Sequence, residues 1–70
     1  TGFVTGGDGY VYHYTDDVLS LGFTCIDGEY YLFNAGSGKM YRDANMWVGP
    51  NDYGIVGGMY YFDANGKMAR

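Results

Sequence analysis

Nine tyrosines, four phenylalanines and one tryptophan stand in this chain of 70 residues, and they are its most chemically capable groups. Sugar rings present C–H faces that stack on Tyr or Trp, while nearby amides and carboxylates bond the sugar hydroxyls. Trp47, Tyr41 and Tyr53 fall close together around the single proline, Pro50, with Asn45, Asn51 and Asp52 among them. These six residues are candidates for carbohydrate binding, the rings as stacking faces and the polar side chains as hydrogen-bond partners. Large aromatics also supply most of the burial a small domain can find, so most of the other tyrosines are expected in the core.

Other chemistries fare worse. His13 is the only histidine and Cys25 the only cysteine. A nucleophile needs an adjacent base, and nothing in the sequence brings these two together. His13 reads as a strand residue and Cys25 as a small apolar filler. The loop Asp63-Ala64-Asn65-Gly66 has its glycine in the fourth position, whereas an EF-hand loop needs it sixth with a glutamate twelfth; it reads as a turn. Ser20 and Ser37 lie in loop-like contexts without an elbow motif. Gly6-Gly7-Asp8-Gly9 is followed by no P-loop lysine or helix. Paired carboxylates for glycoside hydrolysis need a deep cleft, which a thin array of strands lacks. The expectation is a protein that is not an enzyme and has no catalytic residue, metal or cofactor.

Composition narrows the class further. Hydrophobic residues make up 47% of the chain, too many for a disordered tail, yet no apolar run is long enough for a membrane-spanning helix. The net charge is −4, and the four basic residues, Lys39, Arg42, Lys67 and Arg70, form no stripe in sequence. Nucleic acid and anionic membrane are therefore poor partners, and bare anionic wall polymers are disfavoured for the same reason. One cysteine makes no internal disulfide, so the stability of so short a chain must come from aromatic burial and from contacts between units.

Those units are visible as a repeated phrase: Gly9-Tyr10-Val11-Tyr12-His13-Tyr14, Gly28-Glu29-Tyr30-Tyr31-Leu32-Phe33 and Gly57-Gly58-Met59-Tyr60-Tyr61-Phe62. The last two copies each lead into a loop ending Gly38-Lys39-Met40 or Gly66-Lys67-Met68. A unit this short cannot bury its own apolar face, so it must stack on its neighbours. The period is 2, and the chain is expected to be all-β: consecutive β-hairpins stacked as a short solenoid or continued as a meander. Strands are expected at 2–5, 10–14, 21–26, 29–33, 39–42, 45–48, 53–56, 59–63 and 67–69. Asp27-Gly28 is a two-residue hairpin signal, and Gly57-Gly58 can serve the same way. Asp16-Asp17-Val18-Leu19 can open a short helical turn with Asp16 as its N-cap. Tyr14 to Phe33 is 19 residues and Phe33 to Phe62 is 29, and the extra length lies around Trp47 and Pro50. Approximate repeats are 1–21, 22–48 and 49–70, together one fragment of a repeat array.

The phrase Tyr60-Tyr61-Phe62-Asp63-Ala64-Asn65-Gly66-Lys67-Met68 resembles the cell-wall-binding repeats of secreted Gram-positive proteins. That group includes the choline-binding modules, the streptococcal glucan-binding repeats and the repeat domains of the large clostridial toxins. The second copy is a fair match and the first is degenerate. Gly2-Phe3 and Gly22-Phe23 stand where the family has Gly-Trp. The resemblance implies a non-catalytic carbohydrate- or cell-wall-binding module that anchors a larger secreted protein at the cell surface. It adds Tyr30 and Phe23 to the candidate binding residues by family position. A choline box favours tryptophan faces, and with one Trp in the chain the expected mode is sugar stacking. The alternative is a purely structural spacer without a ligand. The partner expected is a glycan or wall polysaccharide, with self-association through open strand edges.

Overall fold

The computed structural model describes residues 2–69, and every strand in it belongs to an antiparallel hairpin. Strands β1 (Gly2–Thr5), β2 (Val11–Thr15) and β3 (Val18–Leu19) form a three-stranded sheet in that order. Strands β4 (Gly22–Ile26) and β5 (Glu29–Phe33) form the second hairpin, and β6 (Ala44–Val48) and β7 (Gly58–Phe62) the third. There is no helix among the described residues, so none is long and apolar enough to cross a membrane. The fold is all-β, as the period-2 pattern requires.

The turns explain where the strands begin and end. Asp27 and Gly28 have φ of 52° and 81°, the positive pair that a tight hairpin needs to match the twist of its strands. Asp16 and Asp17 also take positive φ, 49° and 65°, and join Thr15 to its partner Val18. This corrects the helical-turn expectation. Aspartate tolerates the left-handed region, and an N-cap requires extended φ instead. Gly57-Gly58 is not a hairpin turn either. Gly58 pairs with Val48 inside the ladder, and the connection is the whole stretch 49–57.

Three further expectations change. The stretch 53–56 is loop, not strand, because Asn51 draws its backbone into a local turn (below). The stretches 39–42 and 67–69 shrink to isolated bridges, Phe33↔Met40 and Phe62↔Met68. The reason is that the Met N–H groups are spent elsewhere. The Met40 N–H donates to the Val11 carbonyl (2.9 Å) and the Met68 N–H to the Tyr30 carbonyl (2.9 Å). Each Gly-Lys-Met loop is thus bonded to the preceding hairpin.

The core lies between hairpins. Tyr31, Phe33 and Met40 are buried against Val11 and Ile26. Val48, Phe62 and Met68 are buried against Phe23, Tyr30, Leu32, Met46, Ile55 and Tyr60. Strand alternation sorts the second hairpin's two faces accordingly: Tyr31 and Phe33 turn to the first unit, and Phe23, Tyr30 and Leu32 to the third. His13 is buried, with its Nδ1 2.9 Å from the Ser20 hydroxyl and its ring 4.8 Å from that of Phe3. It is a hydrogen-bonded core residue, as its strand context suggested.

Candidate functional site

Three of the candidate rings converge. Phe23 lies on β4 and Tyr30 on β5, diagonal neighbours on one face of the second hairpin. Their rings stack nearly parallel, with centroids 5.4 Å apart and planes 8° apart. Tyr53 comes from the loop of the third hairpin and stands across this pair, 5.8 Å from Phe23 at 68° and 5.7 Å from Tyr30 at 62°. Tyr53 is 42% exposed, and Phe23 and Tyr30 are half-buried. The cluster therefore sits where the interface between two hairpins opens to solvent.

Asn51 places Tyr53. Its Oδ1 accepts from the N–H groups of Tyr53 (2.9 Å) and Ile55 (3.3 Å). Its Nδ2 donates to the carbonyls of Gly49 (3.1 Å) and Ile55 (2.9 Å). Ile55 is anchored in the second core cluster, and the Tyr60 hydroxyl donates to the Val56 carbonyl. The side chain of Asn51 is fully occupied in shaping the loop. Expected as a sugar contact, it is instead the residue that orders the backbone around the ring.

The remaining candidates lie elsewhere. Trp47 is on β6, directly opposite Met59, and is 64% exposed on the outer face of the third hairpin. Asn45 is on the same face, opposite Tyr61. Tyr41 is half-buried, its hydroxyl accepting from Asn34 Nδ2 at 2.9 Å, which ties it to the 34–38 loop. Asp52 is exposed, between Asn51 and Tyr53. Chain proximity had suggested one site around the long connection. The fold divides those residues among a cluster, an outer face and a loop brace.

The cluster offers hydrocarbon and π faces. The three centroids make a nearly equilateral triangle with sides of 5.4–5.8 Å. A cation is attracted when it approaches over a ring face within roughly 6 Å of the centroid, and Tyr53, 42% exposed, is the most open of the three rings to such an approach. The same faces suit the C–H surface of a sugar.

No family model and no curated protein sequence matches the chain. Solved structures do. CbpJ of Streptococcus pneumoniae TIGR4 is similar over 96% of this chain with 29% identity and a TM-score of 0.67. This chain spans 27% of the length of CbpJ. The choline binding domain of Spr1274 of Streptococcus pneumoniae is similar over 100% of this chain and 94% of its own length, with 25% identity and a TM-score of 0.69. In its repeated aromatic phrase, its hairpin stack and these structural neighbours, the chain is similar to choline-binding-type, cell-wall-binding repeats.

Proposed function

We propose that this chain is a non-catalytic cell-wall-binding module that holds a larger secreted protein at a bacterial surface through ligands stacked on Phe23, Tyr30 and Tyr53. The ring cluster carries the reading, because it gathers three aromatic groups at one spot where a hairpin interface opens to solvent. The likeness to a choline binding domain favours the quaternary ammonium of a choline-bearing wall glycan over a bare sugar. The net charge of −4 favours approach of a cation. Each site of this kind is shallow and weak, and repetition along an array supplies the affinity.

The test is a titration of choline, and separately of an uncharged sugar, followed through the ring signals of Tyr53 by NMR. Tyr53→Ala weakens choline binding roughly five- to tenfold, about 1–1.4 kcal/mol for an exposed cation–π partner. Its circular dichroism stays unchanged, since Tyr53 is a loop residue at the solvent edge. A folded chain that ignores choline, or a Tyr53→Ala variant that binds as before, removes the reading. One observation favours a spacer without a ligand: the three rings already touch at packing distance. In that case Tyr53→Ala lowers the melting temperature and neither ligand moves any ring signal.

A further inference from the structure

Where the first unit meets the second, with the 64–67 loop of the third unit beside them, lies a different kind of site. The hairpin registers pair Phe3 with His13 and Phe23 with Leu32, and set Thr5 opposite Val11 as Cys25 is opposite Tyr30. Phe3 and Val11 thus occupy in the first hairpin the places that Phe23 and Tyr30 occupy in the second. The second aromatic is missing, and a cleft of about 280 Å³ opens there, lined by Phe3, Val11, Tyr31, Met40, Ala64 and Asn65 together with Arg42 and Lys67. Its volume is at the small end for ligand pockets and suits one ring.

The lining has two chemistries. Phe3 is 47% exposed and lies 5.2 Å from the Tyr31 ring; with Val11 and buried Met40 it makes an apolar wall. Arg42 and Lys67 are both exposed and carry two positive charges, while no carboxylate lines the cleft. The carboxylates whose field reaches Tyr31 belong to Glu29, Asp63 and Asp27, outside that lining. The Arg42 Nη2 donates to the Gly9 carbonyl at 3.0 Å, which fixes the guanidinium while leaving its other donors without partners among the described residues. The Lys67 ammonium has no ion pair among them either. Of the other basic residues, Lys39 sits 4.4 Å over the Tyr10 ring, and Arg70 lies outside the described residues. Basic residues scattered along the sequence of an acidic chain are therefore paired at one cleft by the fold.

We propose that this cleft binds a sugar ring bearing an anionic group, a phosphate or a carboxylate. This rests on the reading of the chain as a wall-glycan-binding module. The ring stacks on Phe3 against the apolar wall, Asn65 is placed to meet a hydroxyl, and the anion sits between Arg42 and Lys67. The planar guanidinium fork matches two oxygens of either anion. A quaternary ammonium is repelled here by the same two charges, so this cleft and the Phe23–Tyr30–Tyr53 cluster select ligands of opposite sign.

The test titrates glucose 6-phosphate, glucuronate, glucose and inorganic phosphate into the chain. The ring signals of Phe3 and Tyr31 report this cleft, and those of Tyr53 report the aromatic cluster. Either or both of the anionic sugars shift the Phe3 and Tyr31 signals, and the stronger of the two identifies the preferred anion. That sugar binds at least fivefold more tightly than glucose, and added salt weakens it. The double variant Arg42→Gln, Lys67→Gln loses roughly fivefold or more in affinity for that sugar, with choline titration at Tyr53 unchanged. Lys67→Glu, a single exposed change, gives the same direction if the double variant folds poorly. Equal binding of glucose and both anionic sugars, no shift with any of them, or inorganic phosphate binding as well as the sugar phosphate overturns the proposal. Failure of choline at Tyr53 with success here removes the ammonium reading and leaves this one standing.

Discussion

At the scale of single residues, several side chains serve the backbone instead of a ligand. Asn51 spends its whole amide on the loop that carries Tyr53. Asn34 and Asp63 act alike in the two Gly-Lys-Met loops. Asn34 Oδ1 accepts from Gly36 and Ser37, and Asp63 Oδ1 from Asn65 and Lys67. Asp8 is the residue of this kind with a titration consequence. The Tyr12 hydroxyl donates to its Oδ2 at 2.7 Å and the Tyr10 N–H to its Oδ1 at 3.0 Å. These bonds, the hydroxyl first, hold the Asp8 carboxyl below its ordinary value of 3.8. The same carboxylate raises the Tyr12 phenol above 10.0. A lowered carboxyl contributes stability that is present above 3.8 and lost as pH falls through the folded value. A raised phenol contributes stability that is present below 10.0 and lost as pH rises through its folded value. Asp8 is fully exposed, so the effect is small. Asp8→Asn is expected to flatten both limbs of the pH–stability curve slightly, and NMR titration of the Tyr12 ring in that variant is expected to return its ionisation towards 10.0. An unchanged Tyr12 titration counts against the Asp8–Tyr12 bond in solution.

At the scale of elements, the Gly-Lys-Met loop is the device that stacks one unit on the next. Gly38 and Gly66 are buried with φ of +78° and +81°. A Cβ on Gly38 would meet Leu19 at 2.7–3.0 Å, and one on Gly66 would meet the Met40 sulfur and methyl at 2.5 Å. Each loop glycine is therefore the seat for a side chain of the unit before it. Gly28 has the same φ, +81°, but a Cβ there would have nothing within 4 Å, which makes it a control. Gly28→Ala is expected to cost about 1–2 kcal/mol from left-handed backbone strain alone. Gly66→Ala is expected to cost more by roughly 1–3 kcal/mol, because Met40 is buried and must repack. Denaturant melts of the two variants measure the difference, and equal losses would show that the seat for Met40 contributes nothing.

Much of this level was legible in the chain. Strands Gly2–Thr5 and Glu29–Phe33 follow from aromatic runs bounded by turn residues, and Asp27-Gly28 signals its own hairpin. The 53–56 loop was not legible, since Tyr53-Gly54-Ile55-Val56 has strand composition and only the side-chain bonds of Asn51 make it turn. Nor was Asp16-Asp17, which reads as the start of a helical turn with Asp16 as its N-cap, whereas the pairing of Thr15 with Val18 makes it a tight turn. Within the site, Phe23 and Tyr30 came from their place in the repeat and Tyr53 from its ring chemistry. The cleft at Phe3 escaped because its charges come from Arg42 and Lys67, far apart in sequence and brought together only by stacking.

At the scale of the whole molecule, the described residues leave both end faces of the stack uncovered. In the second hairpin the face bearing Phe23, Tyr30 and Leu32 is covered by the third unit. By register, the corresponding face of the third hairpin carries Asn45, Met59 and Tyr61, with Trp47 beside them. Nothing among the described residues covers it: Trp47 is 64%, Met59 61% and Tyr61 43% exposed. At the other end, Val4 of the first hairpin, on the face opposite Phe3, is 50% exposed. An exposed face of this kind suits an interaction surface, and the occupant expected on it is another hairpin unit of the same kind. In a solution of this chain alone, that unit comes from a second copy. The two ends differ, so the contact is head-to-tail and does not close on itself. Sedimentation is expected to show association that grows with concentration without settling at a dimer. Met59→Lys, which places a charge in the middle of the face, is expected to reduce that association while leaving choline titration at Tyr53 intact, because Tyr53 lies at the inner interface. A profile that stays monomeric at high concentration removes the prediction, and Trp47 is then a solvent-facing residue free to meet a ligand of its own.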